Sequence, residues 1–352
     1  MRAINILTVS LAFLAGCDLG ESVDHPGIAT NPAQWEKPAL MTPEGNNVTC
    51  LTRSGSSLFA GMAAAGMGVY KTTDHGESWT KAGSVPFVTY GVVALLAHGP
   101  NLFAGAPSSS KTGGGGCAVS TDNGADWTPA NNGLGISQYL VPPSVYSFTS
   151  IGKNVYLAAI GGVYASTDEG SSWSSMMSGN VYAVGSVGQV LFATYADYDS
   201  IFRSTDAGQT WTTQSTGVSG HPIQCFFTMG DFVFAGGKGV LRSSDFGQTW
   251  VEKDNGMLSP DIRSFTAYDS VLFAASYGQG VYQSWDKGET WASINPGLES
   301  LNAQALLQDS TYLYVGTADA QVWRRPLSNL LSAPQASVGG TRPSVQPVRQ
   351  LP

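Results

Sequence analysis

The chain is poor in the residues that build catalytic, metal and redox centres. Its 352 residues include four histidines and four cysteines, and charged side chains make up only 12%. His25, His75, His98 and His221 stand in no ligand spacing, so neither a metal nor any other cofactor is expected. Apart from Cys17 the cysteines number three, an odd count for an oxidising compartment. Cys50, Cys117 and Cys225 sit where other repeats carry small or β-branched residues, and they read as core side chains. The glycine run at 113–116 is not followed by Gly-Lys-Ser/Thr, so it is a flexible lip and not a phosphate loop. With 17 basic residues against 25 acidic ones and a net charge of −8, there is no basic stripe for nucleic acid. The apolar run from Ile4 to Leu14 falls short of the ~20 residues that a membrane-spanning helix needs.

Glycine is plentiful at 43 residues, and six of these belong to one motif, Ser/Thr-x-Asp-x-Gly-x-x-Trp. It occurs at Thr72–Trp79, Ser120–Trp127, Ser166–Trp173, Ser204–Trp211, Ser243–Trp250 and Ser284–Trp291. Its aspartates, Asp74, Asp122, Asp168, Asp206, Asp245 and Asp286, lie 48, 46, 38, 39 and 41 residues apart, the period of a four-stranded propeller blade. In such a turn Asp accepts backbone N–H groups, Gly supplies φ > 0 and Trp covers the hairpin.

Alignment on the motif exposes further columns. An aliphatic followed by an aromatic recurs seven times, at Leu58-Phe59, Leu102-Phe103, Val155-Tyr156, Leu191-Phe192, Val233-Phe234, Leu272-Phe273 and Leu313-Tyr314. Nine residues before each aromatic stands a small side chain: Cys50, Ala94, Ser147, Ala183, Cys225, Ser264 and Ala305. Innermost strands crowd around a propeller axis, so one position facing the neighbour must be small. The expected fold is therefore all-β, a single seven-bladed β-propeller of four-stranded antiparallel blades over residues 34–330. The last repeat lacks an outer strand, and Trp35-Glu36-Lys37 resembles Trp79-Thr80-Lys81; an N-terminal strand is expected to close the ring and remove its exposed edges.

The motif resembles the Asp-box, or BNR repeat, of sialidases, xyloglucanases, sortilin-type receptors and the photosystem II assembly-factor propellers. That resemblance implies structural aspartates on the rim away from the ligand site. A sialidase would need three arginines converging on one carboxylate. Here Arg203, Arg242 and Arg324 share one outer-wall position with Lys71, Val119, Ala165 and Gln283, which argues against that activity.

Propellers bind ligands at the mouth where the innermost strands begin. The positions entering those strands are Thr49, Val93, Tyr146, Tyr182, Gln224, Arg263 and Gln304, with Lys111, Asp197, Tyr198, Asp199, Lys238, Tyr277 and Asp319 on the second set of loops. The binding residues expected are Tyr146, Tyr182, Gln224, Arg263, Gln304, Lys238 and Tyr277, a mixture of aromatics, amides and cations suited to a protein, a peptide or a glycan. No catalytic residues are assigned. Glycoside hydrolysis needs a carboxylate pair at ~5 Å or ~6.5–9.5 Å, and Asp197, Asp199, Asp261, Glu299 and Asp319 form none that the sequence reveals. The expected function is that of a monomeric, membrane-tethered, non-catalytic interaction or assembly module; the alternative is a glycan-binding or glycoside-hydrolase-type enzyme acting at the same mouth.

The N-terminus supplies the address. Leu14-Ala15-Gly16-Cys17 matches a bacterial lipobox, so residues 1–16 read as a lipoprotein signal peptide, Cys17 as the lipidation site and 17–33 as a tether. Residues 331–352, rich in Pro, Ser and Gln, read as a disordered tail. The implied location is the bacterial cell envelope, with the lipid anchor as the only membrane contact. Cys17→Ser is expected to move the protein from the membrane to the soluble fraction. Intact-mass measurement of the wild type checks the premise, and a mature chain without added acyl mass contradicts it.

Overall fold

Short apolar runs punctuated by Gly, Asn and Asp turns give 25 strands in the computed structural model. It describes residues 34–38, 47–63, 66–86, 91–108, 115–135, 141–195, 200–216, 222–319 and 321–331. The strands are grouped in antiparallel sheets along the chain. The first sheet is β1 (Val48–Ser54), β2 (Ser57–Met62), β3 (Gly68–Thr72) and β4 (Thr80–Lys81). The second is β5 (Ala94–His98), β6 (Asn101–Ala106), β7 (Gly116–Ser120) and β8 (Thr128–Pro129). A six-stranded sheet follows: β9 (Val145–Ile151), β10 (Asn154–Ser166), β11 (Ser174–Val187), β12 (Val190–Tyr195), β13 (Ser200–Ser204) and β14 (Thr212–Ser215). Two four-stranded sheets come next, β15 (Ile223–Met229) with β16 (Phe232–Gly237), β17 (Gly239–Ser243) and β18 (Val251–Glu252), then β19 (Ile262–Tyr268) with β20 (Val271–Ser276), β21 (Gly280–Ser284) and β22 (Ala292–Ser293). The last has three strands, β23 (Ala303–Gln308), β24 (Tyr312–Thr317) and β25 (Val322–Pro326).

The expectation of seven four-stranded blades closed by an N-terminal strand is corrected on both counts. The described residues form six sheets, because the third and fourth sequence repeats are fused. β10 runs through Gly161 and Gly162 without a break, both at positive φ, and β11 continues from the outer edge of one repeat into the inner strand of the next. Pairing of Ile160 with Asn180 and of Gly161 with Gly179 carries the ladder across the junction. A sequence repeat counts units of chain, whereas a sheet is counted by its hydrogen bonds, and these two repeats share theirs.

The closing segment is likewise not a strand. Glu36 and Arg324 form one isolated bridge, exchanging N–H···O bonds of 2.8 and 2.9 Å. The next antiparallel hydrogen-bonded pairs would place Pro38 opposite Val322 and Gln34 opposite Pro326. Neither proline has an N–H to give, so the ladder stops on both sides. Closure relies instead on the side chain of Trp35, which is 4% exposed. Its backbone N–H donates to Pro296 O at 3.0 Å and its indole Nε1 to Ile294 O at 2.7 Å. Trp173 binds Asn132 O and Ala130 O in the same way, and Trp291 binds Asn255 O and Lys253 O. Trp35 thus takes the seat of a motif tryptophan for the sheet that has no motif of its own.

The sequence columns map onto distinct packing duties. The seven aromatics Phe59, Phe103, Tyr156, Phe192, Phe234, Phe273 and Tyr314 are each at most 1% exposed. Inner strands β1, β5, β9, the second half of β11, β15, β19 and β23 pack on one another in turn, and β23 returns to β1. The small column lets neighbours meet: Ser147 Oγ donates to Val184 O at 3.3 Å, and Ser264 Oγ accepts the Leu306 N–H at 3.1 Å. Cys50, Cys117 and Cys225 are free thiols, and burial pushes Cys50 and Cys225 up to about 12. Trp35→Ala is expected to cost about 3–5 kcal/mol, the range for losing a buried Trp, measured by denaturant unfolding. A cost under about 1 kcal/mol would show that the seam closes without it.

Candidate functional site

The two ends of the inner strands differ in chemistry. At one end the Ser/Thr-x-Asp-x-Gly-x-x-Trp turns sit beside the hairpins joining the first and second strands of neighbouring sheets; Asn123 Nδ2, for example, reaches Ser57 Oγ at 3.4 Å. Each motif aspartate accepts hydrogen bonds from its own turn. Asp206 Oδ1 accepts Ser204 Oγ at 2.8 Å and the Thr210 N–H at 2.9 Å, and Oδ2 accepts Thr210 Oγ1 at 2.5 Å. The Ser204 hydroxyl also receives the Gly208 N–H at 2.9 Å. The residue after each aspartate (His75, Asn123, Glu169, Ala207, Phe246 or Lys287) is held at φ of 56–60°. All six aspartates therefore serve turn geometry and face away from the mouth.

At the opposite end, Thr49, Val93, Tyr146, Tyr182, Gln224, Arg263 and Gln304 line one cavity of about 230 Å³. These are the entering positions of the inner strands, brought together around the axis. A second cavity of about 210 Å³ shares most of them and continues inward past Leu51, Leu95, Phe148 and Phe226. Tyr146 and Tyr182 stack with centroids 5.1 Å apart and planes at 28°. Burial pushes the Tyr182 phenol up, against the pull of Arg263. Arg263 Nη2 donates to Asp261 Oδ2 at 2.6 Å, and Gln224 Nε2 donates to Asp261 Oδ1 at 2.8 Å. Both oxygens of Asp261 are thus engaged. The Arg263 guanidinium also lies 5.3 Å from the centre of the Tyr277 ring, and its buried Nε has no hydrogen-bond partner among the described residues.

Five of the expected binding residues, Tyr146, Tyr182, Gln224, Arg263 and Gln304, share this cavity. Tyr277 is 42% exposed on its rim, covering Arg263. Lys238 is exposed and does not line it. Lys111, Asp197, Tyr198, Asp199 and Cys17 lie outside the described residues. Asp319 accepts Thr317 Oγ1, and Glu299 is exposed beside Lys37 at 3.6 Å; neither contributes to the cavity wall. The sequence columns did not reveal the Asp261 clamp. Its signal was present in the i, i+2 spacing of Asp261 and Arg263 on one entering loop, but Gln224 comes from the neighbouring sheet.

Comparisons with known proteins follow the architecture. Residues 109–230 match the model of the DUF6242 beta propeller domain, about a third of the chain. No curated protein matches. Among solved structures, YCF48 from Cyanidioschyzon merolae is similar at 15% identity and a TM-score of 0.64, over 84% of this chain and 100% of that one. A structure of YCF48 bound to D1 peptide is similar at 14% identity and a TM-score of 0.60, over 86% and 99%. The GH74 xyloglucanase from Xanthomonas campestris is similar at 15% identity and a TM-score of 0.63; the match covers 86% of this chain and 55% of the enzyme. At these identities the likeness shows the fold: an all-β propeller, similar to the YCF48 and GH74 propellers.

The turn aspartates make stability depend on acid. Hydrogen bonds from the Ser78 hydroxyl, the Thr72 hydroxyl and the Ser78 N–H hold Asp74 down to about 2, and those from the Thr210 hydroxyl, the Thr210 N–H and the Ser204 hydroxyl do the same for Asp206. Their folded values lie below the unfolded value of 3.8, so this contribution is complete above about pH 4 and is lost as pH falls through about 2. The melting temperature is expected to fall most steeply between about pH 4 and 2. Asp206→Ala should lower it at pH 7 and flatten that acid limb; an unchanged acid limb would remove the aspartates from the account.

Proposed function

We propose that the chain is an exported Asp-box propeller, anchored through a lipid on Cys17, whose mouth binds a polypeptide partner without chemical turnover. One observation carries the reading. The mouth cavity combines stacked Tyr146 and Tyr182 with Gln224, Gln304 and a half-free Arg263, while both oxygens of its nearest carboxylate, Asp261, are committed to Arg263 and Gln224. Peptide groups need alternating donors, acceptors and flat apolar faces, and the wall presents all three. A glycosidase needs one carboxyl free to give a proton and another free to attack or to activate water. Asp261, clamped by a guanidinium and an amide, suits neither role.

The fold likeness to YCF48 bound to D1 peptide fits a peptide at such a mouth, and the fold likeness to the GH74 xyloglucanase makes hydrolysis the reading to test against it. The proposed layout keeps residues 1–16 as signal peptide, 17–33 as tether and 331–352 as tail, with the protein acting as a monomer in the bacterial envelope. Selection of random peptides against the purified chain is expected to enrich binders, and Tyr182→Ala with Arg263→Ala should abolish their binding in a chain that circular dichroism shows still folded, although loss of the Arg263 bond to Asp261 should lower the melting temperature. Hydrolysis of chromogenic glycosides that disappears in Asp261→Asn would overturn the reading in favour of the enzyme.

A further inference from the structure

The seams on the motif face share a recurring bond. At four seams a cation on the third strand of one repeat donates to the carbonyl of the left-handed residue in the next repeat's turn. The bonds are Lys71 Nζ to Asn123 O at 3.4 Å, Arg203 Nε to Phe246 O at 2.7 Å, Arg242 Nη1 to Lys287 O at 2.6 Å and Arg324 Nη1 to His75 O at 2.9 Å. Arg242 and Arg324 also pair with a carboxylate on the same turn, Glu289 and Glu77, at 2.6 and 2.5 Å. Where Ala165 replaces the cation, the Tyr156 hydroxyl reaches Ala207 O at 3.5 Å, and Met176 packs in the same cluster.

The seam between the second and third repeats has neither solution. Val119 stands at the cation position and is too short to cross. Among the described residues no donor reaches the Glu169 carbonyl. A cavity of about 340 Å³ occupies the space, lined by Asn101, Val119, Asn132, Glu169 and Ser171. The Asn101 amide donates to one Glu169 oxygen at 3.2 Å, and among the described residues nothing donates to the other. The cavity therefore presents, to whatever enters, the backbone carbonyl that Arg242 and Arg324 grasp elsewhere, with a carboxylate borne here by the left-handed residue itself, because Ser171 stands where those seams have Glu289 and Glu77.

We propose that this cavity binds a guanidinium group supplied in trans, the arginine side chain of a partner polypeptide. Arginine is favoured over lysine because its planar fork satisfies a carbonyl and a carboxylate together. Of the internal occupants, the two that make both contacts are arginines, whereas Lys71 makes a single long bond. A multivalent metal is disfavoured because no cluster of three His, Cys, Asp or Glu ligands occurs among the described residues. The site lies on the motif face, away from the mouth, and does not depend on the mouth reading.

The test uses N-acetyl-arginine amide as probe and N-acetyl-citrulline amide as its uncharged control, with binding followed on the isotope-labelled full chain by amide chemical shifts. Saturable shifts are expected at Glu169, Gly170 and Ser171 with the arginine probe and none with citrulline. Val119→Arg should place the missing group in cis, raising the melting temperature by several degrees and abolishing probe binding. Glu169→Gln should weaken binding at least tenfold with the melting temperature within about a degree, and Arg263→Ala at the mouth should leave binding unchanged. Should Val119→Arg fail to fold, Glu169→Gln decides. Equal binding of citrulline, shifts confined to mouth amides, or full binding by Glu169→Gln would each overturn the proposal.

Discussion

Contact between one repeat and the next is what every other property of this molecule rests on. A single repeat of three or four short strands has two apolar faces and an outer strand of often only two residues, so no repeat is stable by itself. Two sets of bonds overcome this. Trp173 and Trp291 give their backbone and indole N–H groups to the preceding repeat, and at four seams a cation from the preceding repeat gives its own to the following turn. The indole bonds of Trp173 and Trp35 are buried, where an unpaired carbonyl is costly, whereas the arginine bonds to Phe246 O and Lys287 O are exposed. The left-handed residue after each aspartate turns its carbonyl toward the neighbour, so the strained backbone of the turn serves the seam.

The architecture was legible to the extent that it repeats. Seven aligned aromatics, seven small residues and six turns each report a local steric demand, and the structure honours them at the named positions. What the repeats do not encode is continuity between units. The fusion through Gly161 and Gly179 depends on hydrogen bonds that persist across a junction, and a period of residues carries no record of that. The N-terminal closure shows the same division. Trp35 was readable because it copies a side-chain role, whereas the absence of a strand follows from Pro38 and Pro326 standing at the hydrogen-bonded positions on either side of the Glu36–Arg324 bridge, a relation between residues 288 positions apart.

The mouth was legible as a set and opaque as a network. Entering positions recur at fixed offsets from the aromatic column, so their convergence on one cavity follows from the repeat. Pairing among them does not repeat: Asp261, Arg263 and Gln224 meet because two particular neighbours carry complementary groups. The two faces of the molecule thereby divide the work. Aspartates on one face are engaged in folding, while the side chains at the other retain unpaired hydrogen-bonding capacity.

The seam bonds also have a direction. At four seams a cation reaches forward, and tryptophans such as Trp173 and Trp291 reach back, so these repeats have unlike leading and trailing surfaces, and the ring is a head-to-tail array whose last member meets its first. Interfaces of this heterologous kind close when the rotation per unit completes a circle and propagate otherwise. Arg324 supplies the final joint here through His75 O and Glu77, while Trp35 ties the N-terminal segment back to the sixth repeat. A chain that lost that joint would keep one open leading edge and one open trailing edge, each complementary to the other on a second molecule. The device that makes this protein a closed ring is, with one unit missing, a template for a filament.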